Sequence, residues 1–239
     1  MINIKIKKLD WDSKFWGFNI YNANKSNNLI DFERNLISKL DSTPFIIQAL
    51  SSESDIQYIN CLEDNGFRFV ESKINLVQKV QQQSNISELS MFQDVREEHL
   101  LVYKDDFYDL YGNVSRFALF DKEKVNEFYY KWAVKSIKGN FDDNCIGYYR
   151  NNLLEGFITY KIVNQKLIIG LLGVFPKYQG RKISRYLLSY INYIAFKNAC
   201  GEISVSTQGK NTKAINTYIK NGFIIENIKH WYYYKGELK

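Results

Sequence analysis

The stretch Leu167-Ile-Ile-Gly-Leu-Leu-Gly-Val-Phe-Pro-Lys-Tyr-Gln-Gly-Arg-Lys-Ile-Ser-Arg-Tyr-Leu-Leu188 constrains this chain more than any other. It opens with a continuous apolar run, as a strand buried on both faces does. Pro176 ends that strand. A short loop with Gly180 and the cations Lys177, Arg181 and Lys182 follows. Ile183, Leu187, Tyr190, Ile191 and Ile194 then recur at a helical period. A helix start leaves several backbone N–H groups free and carries a partial positive charge. With Gly180 allowing close approach of the backbone, the loop suits a pyrophosphate. Taken alone, the stretch also fits a solvated basic loop between a strand and a helix.

The surrounding pattern predicts an α/β fold. Strands are expected at 145–150, 155–163 and 166–174, with Asn151-Asn152 and Asn164-Gln165 as the turns. The helix at about 179–199, a strand at 202–207, a helix at 212–221 and a strand at 223–235 follow. The long helix must cross between strands, so at least one pair is parallel. Upstream, residues 2–22 predict one or two strands, 29–40 a helix, 45–50 a strand, 55–65 a helix and 67–79 a strand. The polar segment VQQQSNIS at 80–87 is the expected linker, dividing the chain into domains 1–82 and 88–239. Helices near 94–104 and over 121–138 open the second part, with the Ser115-Arg116-Phe117 loop between them. NGFRFVESKINLVQK (65–79) aligns with NGFIIENIKHWYYYK (221–235), so strand, helix, Asn-Gly-Phe and strand occur twice.

With 45% hydrophobic and 24% charged residues, the 239-residue chain is a folded one. Its net charge of +6 lacks the clustered basic face of a nucleic-acid binder and fits an anionic small ligand. Cys61, Cys145 and Cys200 match no zinc or redox spacing, and the two histidines argue against a His-based metal site. No apolar run approaches the ~20 residues of a membrane span, and MINIKIKKLDWD lacks the core of a secretory signal. A reduced, cytoplasmic protein is the expectation.

Two elements together resemble the GNAT superfamily of N-acyltransferases. The first is Val174-Phe175-Pro176 followed by Gln179-Gly180-Arg181 at the helix start. Lys182 stands where glycine is usual, and Ser184 where glycine or alanine is usual. The second is Asn211-Thr-Lys-Ala214-Ile-Asn-Thr-Tyr218-Ile-Lys-Asn-Gly222-Phe223, intact. The resemblance implies a GNAT fold with a mixed central sheet, preceded by a smaller α/β N-terminal domain like a half-GNAT. It implies acetyl-CoA as co-substrate and no metal. The cofactor would be held by Leu172, Val174, Gln179, Gly180, Arg181, Lys182, Ile183, Ser184 and Asn211. Tyr218 would assist the leaving thiolate as general acid or hydrogen-bond donor, where the other reading of this residue is a core tyrosine.

Further segments resemble the family of TDP-fucosamine acetyltransferases. They include Leu9-Asp-Trp-Asp-Ser-Lys-Phe-Trp-Gly17, Gly66-Phe-Arg-Phe-Val-Glu71, Ser115-Arg116-Phe117, Phe128-Tyr-Tyr-Lys-Trp132 and His230-Trp231-Tyr232. This likeness implies acetylation of a dTDP-4-amino-4,6-dideoxy sugar, with no nucleic acid as partner and a homodimer as a further candidate. It assigns Glu71 as the base for the sugar ammonium, and Arg116 and Phe117 to the substrate. A surface glutamate and a structural arginine are the plain alternatives. Two other functions remain open at this level: a GNAT enzyme for another small amine or peptide, and a non-catalytic acyl-CoA-binding module.

Overall fold

The structure is a computed structural model that describes residues 3–26, 44–82, 86 and 89–236. The helix expected at 29–40 and part of the expected linker lie outside these residues. The chain divides into two compact units, Met1–Lys73 with Asn227–Lys239, and Ile74–Glu226. These units cut the chain elsewhere than at 82 and 88. The beginning of the polar stretch is anchored within the second unit: Val80 N–H bonds Gly201 O. Gln81 exchanges backbone bonds with the Asn192 side chain at 2.9 and 3.0 Å.

In the first unit β1 (Asn3–Lys8) runs antiparallel to β2 (Asn19–Ser26). Between them a segment rich in aromatic residues forms a helix, α1 (Asp10–Trp16), where strand was expected. Trp11 stacks on Phe15 at 5.4 Å, and Gly17 ends the helix at φ 81°. That four-residue spacing is a helical signal which the neighbouring alternation hides. β3 (Phe45–Ser52) lies parallel to β2, then come α2 (Ile56–Asp64) and β4 (Arg68–Lys79). The last strand of the chain, β10 (Ile224–Gly236), pairs antiparallel with β3. The strand order of this unit is β1-β2-β3-β10-β4. Ile47, Ala49, Tyr58, Leu62, Phe67 and Tyr232 fill its core.

The second unit begins with short pieces: β5 (Phe92–Asp94), α3 (Glu97–Leu101) and α4 (Phe107–Tyr111). The helix expected near 94–104 is therefore shorter than its pattern. α5 (Lys122–Ile137) is capped by Asp121, which accepts the Lys124 N–H at 2.9 Å. β6 (Asn144–Arg150), β7 (Leu153–Val163) and β8 (Lys166–Val174) form an antiparallel meander. Asn151, Asn152, Asn164 and Gln165 all take positive φ, the conformation that two-residue hairpin turns demand. α6 (Ile183–Lys197) crosses over to β9 (Glu202–Gln208), which is parallel to β8. α7 (Thr212–Lys220) follows. The order β4-β9-β8-β7-β6-β5 makes the sheet of this unit mixed.

The two aligned segments fold alike. At a constant offset of 156 residues, β3-α2-β4 corresponds to β9-α7-β10. Asp55 and Asn211 cap their helices by accepting the Tyr58 and Ala214 N–H groups. Gly66 and Gly222 take φ 83° and 90° after the helix ends. Phe67 and Phe223, both buried, bond back to Leu62 and Tyr218.

Candidate active site

A cavity of ≈ 270 Å³ opens where β8 leaves β9. The strands pair from Lys166–Glu202 to Ile169–Val205, and the paired register ends there. On the other side, Ile158 faces Leu172 while Tyr160 faces Ile169, so Thr159 opposes both Gly170 and Leu171. An extra residue bends and twists its strand, and this bulge turns β8 away from β9. Thr159 pins it. Its hydroxyl accepts the Leu171 N–H at 2.8 Å and donates to Asp142 Oδ2 at 2.6 Å. The same carboxylate oxygen accepts from Trp132 Nε1 at 3.3 Å and lies 3.0 Å from Ser136 Oγ. Asp142 is thus buried with its donors in place. Gly170 is required beside it, because a Cβ there would stand 2.1 Å from Asp142 Oδ2.

Strand alternation decides what the free edge of β8 offers. Phe175 N–H bonds Glu155 O at 3.1 Å, so residues in step with Phe175 bond toward β7. Leu172 and Val174 are out of step and turn their N–H and C=O groups toward the splayed side. Gln179 Nε2 takes up Val174 O at 3.1 Å, and its Oε1 accepts from Lys213 Nζ. Gln179 thereby fastens the loop. Gly180 has φ 80° with open space where a Cβ would stand.

Lys182 has φ 62° and ψ 14°, the left-handed conformation in which a non-glycine residue costs roughly 1–2 kcal/mol. The backbone shape suited to glycine is therefore kept with a lysine in it. α6 starts only after it, later than expected at 179. Lys182 O accepts from Arg185 and Tyr186 N–H, so the N–H groups of Ile183 and Ser184 precede intrahelical bonding. Gln179, Gly180, Lys182, Ile183 and Ser184 all line the cavity. Arg181 does not. Its guanidinium lies 3.7 Å from Glu155 Oε1 and 5.4 Å from the centre of the Tyr178 ring.

From the far wall, α7 contributes Asn211, Lys213, Ala214, Thr217 and Tyr218. Tyr218 is buried and packs against Phe223 at 5.4 Å. Burial pushes its hydroxyl well above the ordinary tyrosine pKa. Tyr111, Tyr129 and Trp132 also line the cavity. The sequence marked Tyr129 and Trp132 only as part of a stretch that carries a resemblance, and gave no role to Tyr111, Asp142 or Thr159. Nothing in local spacing joins those last three.

Glu71, Arg116 and Phe117, expected from the resemblance to serve the substrate, are placed differently. Glu71 belongs to the first unit; it is 6% exposed, and its Oε1 accepts the Ser72 N–H at 3.0 Å. It is not a surface carboxylate. Phe117 is buried against Phe128 at 5.0 Å, and Arg116 lies over its ring at 4.1 Å. Neither residue lines the cavity, although Val114 of the same loop does. Among the described residues, no group of three or more His, Cys, Asp or Glu could hold a metal ion. No described helix is long and apolar enough to cross a membrane.

Comparison with known proteins agrees with this geometry. Residues 92–223 match the acetyltransferase (GNAT) family. The dTDP-fucosamine acetyltransferase of Escherichia coli O6:H1 is 24% identical over 237 residues, covering 97% of this chain and 99% of that protein. Spermidine N(1)-acetyltransferase of Thermoplasma acidophilum is 30% identical over 90 residues, 38% of this chain and 56% of that protein. Among solved structures, a GCN5-related N-acetyltransferase from Sphaerobacter thermophilus superposes with a TM-score of 0.64 at 12% identity. That match covers 96% of this chain and 76% of the other.

Proposed function

Because the chain belongs to the acetyltransferase (GNAT) family, we propose that this acyl-CoA-dependent N-acetyltransferase modifies the amino group of a nucleotide-linked amino sugar, a dTDP-4-amino-4,6-dideoxyhexose. One observation carries the acceptor. The similarity to dTDP-fucosamine acetyltransferase takes in the N-terminal unit, whereas the general family match starts at residue 92. The lining of the cavity includes Lys182 and Lys213, charges that suit the anionic pyrophosphate of the donor.

Acetyl-CoA fits the residues present. The free edge at Leu172 and Val174 can pair with the amides of its pantetheine arm. The loop at Gln179–Lys182 and the N–H groups of Ile183 and Ser184 can receive its pyrophosphate, with Asn211 on the facing wall. Bound there, it supplies an activated acyl thioester open to direct attack by the amine. Glu71 is the proposed base for the sugar ammonium. Arg116 and Phe117 belong in this reading to the loop that meets the nucleotide sugar. Tyr218 is the proposed donor to the departing sulfur. A thiol near 8.5 and a tyrosine near 10 already make full proton transfer uphill by about 2 kcal/mol. Burial raises the tyrosine further, so Tyr218 acts by hydrogen bonding to the thiolate. The β3-α2-β4 segment, with Leu62 in place of Tyr218, is read as a degenerate copy without this function.

A thermal-shift panel followed by turnover assays tests the reading. Acetyl-CoA and a dTDP-4-amino-4,6-dideoxy sugar should each raise the melting temperature, and acetyl transfer to the sugar should follow. Stabilisation by spermidine but not by the sugar nucleotide would overturn the acceptor. No response to acetyl-CoA would overturn the donor as well.

A further inference from the structure

Tyr111 carries a buried hydroxyl that the described residues leave without a hydrogen-bond partner. Such a group is costly unless something binds it. The ring is held in place: it stacks on Tyr129 at 4.9 Å and tilts against Phe107 at 6.2 Å. Tyr129 spends its own hydroxyl on Ser115 Oγ at 2.8 Å. The Tyr111 oxygen is aimed at the splayed part of β8. A Cβ added to Gly173 would stand 2.7 Å from it, so only glycine leaves this oxygen its place against the strand. Gly173 lies between Leu172 and Val174, whose backbone edge faces the cavity. Tyr111 and Tyr218 both line that cavity.

We infer that the Tyr111 hydroxyl is a ligand-facing donor for the carbonyl oxygen of the bound acyl thioester, an inference that rests on the acyl-CoA reading above. The acceptor amine, its ammonium proton already given to the base, forms a C–N bond to the carbonyl carbon, and negative charge gathers on the oxygen. The C–S bond then breaks, sulfur leaves with the electron pair toward Tyr218, and the second proton that nitrogen sheds ends on the sulfur, giving the amide and the free thiol. Tyr111 keeps its proton throughout and holds the oxygen by a hydrogen bond that strengthens as charge develops. The hydroxyl that is unsatisfied in the folded protein is satisfied in the reacting complex.

Calorimetric titration with acetyl-CoA and with S-ethyl-CoA, which lacks the carbonyl oxygen, separates the possibilities for wild type and Tyr111→Phe. Wild type should favour acetyl-CoA by about 3-fold to 10-fold, the usual worth of one hydrogen bond, and the variant should bind both alike. In turnover the variant should lose about 100-fold in kcat, as removal of one oxyanion donor does. Its melting temperature should be no lower than wild type, because no bond within the protein is lost. An acetyl-to-ethyl ratio that is the same in both proteins overturns the assignment, as does a variant kcat within twofold of wild type. If wild type binds neither compound, the acyl-CoA reading itself falls.

Discussion

The hydroxyl of Thr159 joins the buried carboxylate of Asp142, 2.6 Å away, to the backbone of the β8 bulge. One side chain therefore couples the polar cluster at Trp132 and Ser136 to the strand edge that lines the cavity. Thr159→Val keeps the shape and removes both bonds. It leaves the Leu171 N–H unsatisfied and deprives Asp142 of a donor, at a cost of about 1–3 kcal/mol for each buried group left unpaired. A lower melting temperature and weaker acetyl-CoA binding by calorimetry are expected together. A variant that melts earlier but binds acetyl-CoA like wild type would show that the bulge does not shape the cofactor edge.

Tyr218→Phe removes a hydroxyl from the cavity wall and leaves the ring packed on Phe223. The expected result is a fall of about 10-fold to 100-fold in kcat with Kd for coenzyme A within twofold of wild type. An unchanged kcat would assign Tyr218 to the core alone. Because burial keeps this hydroxyl protonated well beyond the ordinary tyrosine range, no loss of kcat from its ionisation should occur below pH 10 or so.

Lys182 combines a left-handed backbone with a charge beside the α6 N-terminus, and two substitutions separate these properties. Lys182→Ala keeps the Cβ and loses the charge, while Lys182→Gly loses both. If the lysine serves by charge, both variants bind coenzyme A more weakly by roughly the same factor, about 2-fold to 5-fold. Both should also show a shallower dependence on salt. The glycine variant should be the more stable of the two, since it alone relieves the positive φ. Tighter binding by Lys182→Gly than by wild type would mean that the Cβ obstructs the pyrophosphate.

How much of this was legible in the sequence depended on whether the signal was local. The meander, its Asn-rich turns and the long crossover helix follow from periodicity and turn chemistry within short windows. The cavity wall was legible for the same reason, since Leu172 to Ser184 is one strand, one loop and one helix start. The exception is Arg181, which the sequence places with its neighbours but which turns toward Glu155. The bulge was not legible. It arises because Asp142, Thr159 and Leu171 meet across three elements, and no spacing announces that meeting. α1 was missed because its aromatic residues fit a strand pattern as well as a helical one. Phe117, which the resemblance assigns to the substrate, is buried against Phe128, a contact that no local spacing announces.

Glu71→Gln tests the proposed base independently of the donor side. The amide oxygen can still accept the Ser72 N–H, so that local bond survives. Loss of general base catalysis lowers kcat by about 10²-fold to 10⁴-fold. The Kd for acetyl-CoA should remain that of wild type. A variant with wild-type kcat across the acid limb of the pH–rate profile would send the search for the base to another residue.

Stability at high pH reports on the buried tyrosines. Burial pushes Tyr58, Tyr149 and Tyr160 each up to about 12. In the unfolded chain they ionise near 10. A raised folded pKa means that the folded state holds its proton longer, so the unfolded state loses protons first as pH rises. The stabilising contribution is complete below about pH 10 and is lost progressively from there through about 12. Melting temperature should therefore show no tyrosine-linked fall between pH 7 and 9, and should drop steeply above 10. The drop should coincide with phenolate absorbance appearing on unfolding. Phenolate absorbance growing in below pH 10 while the near-ultraviolet circular dichroism of the folded protein is retained would show that these hydroxyls are not shielded as the packing requires.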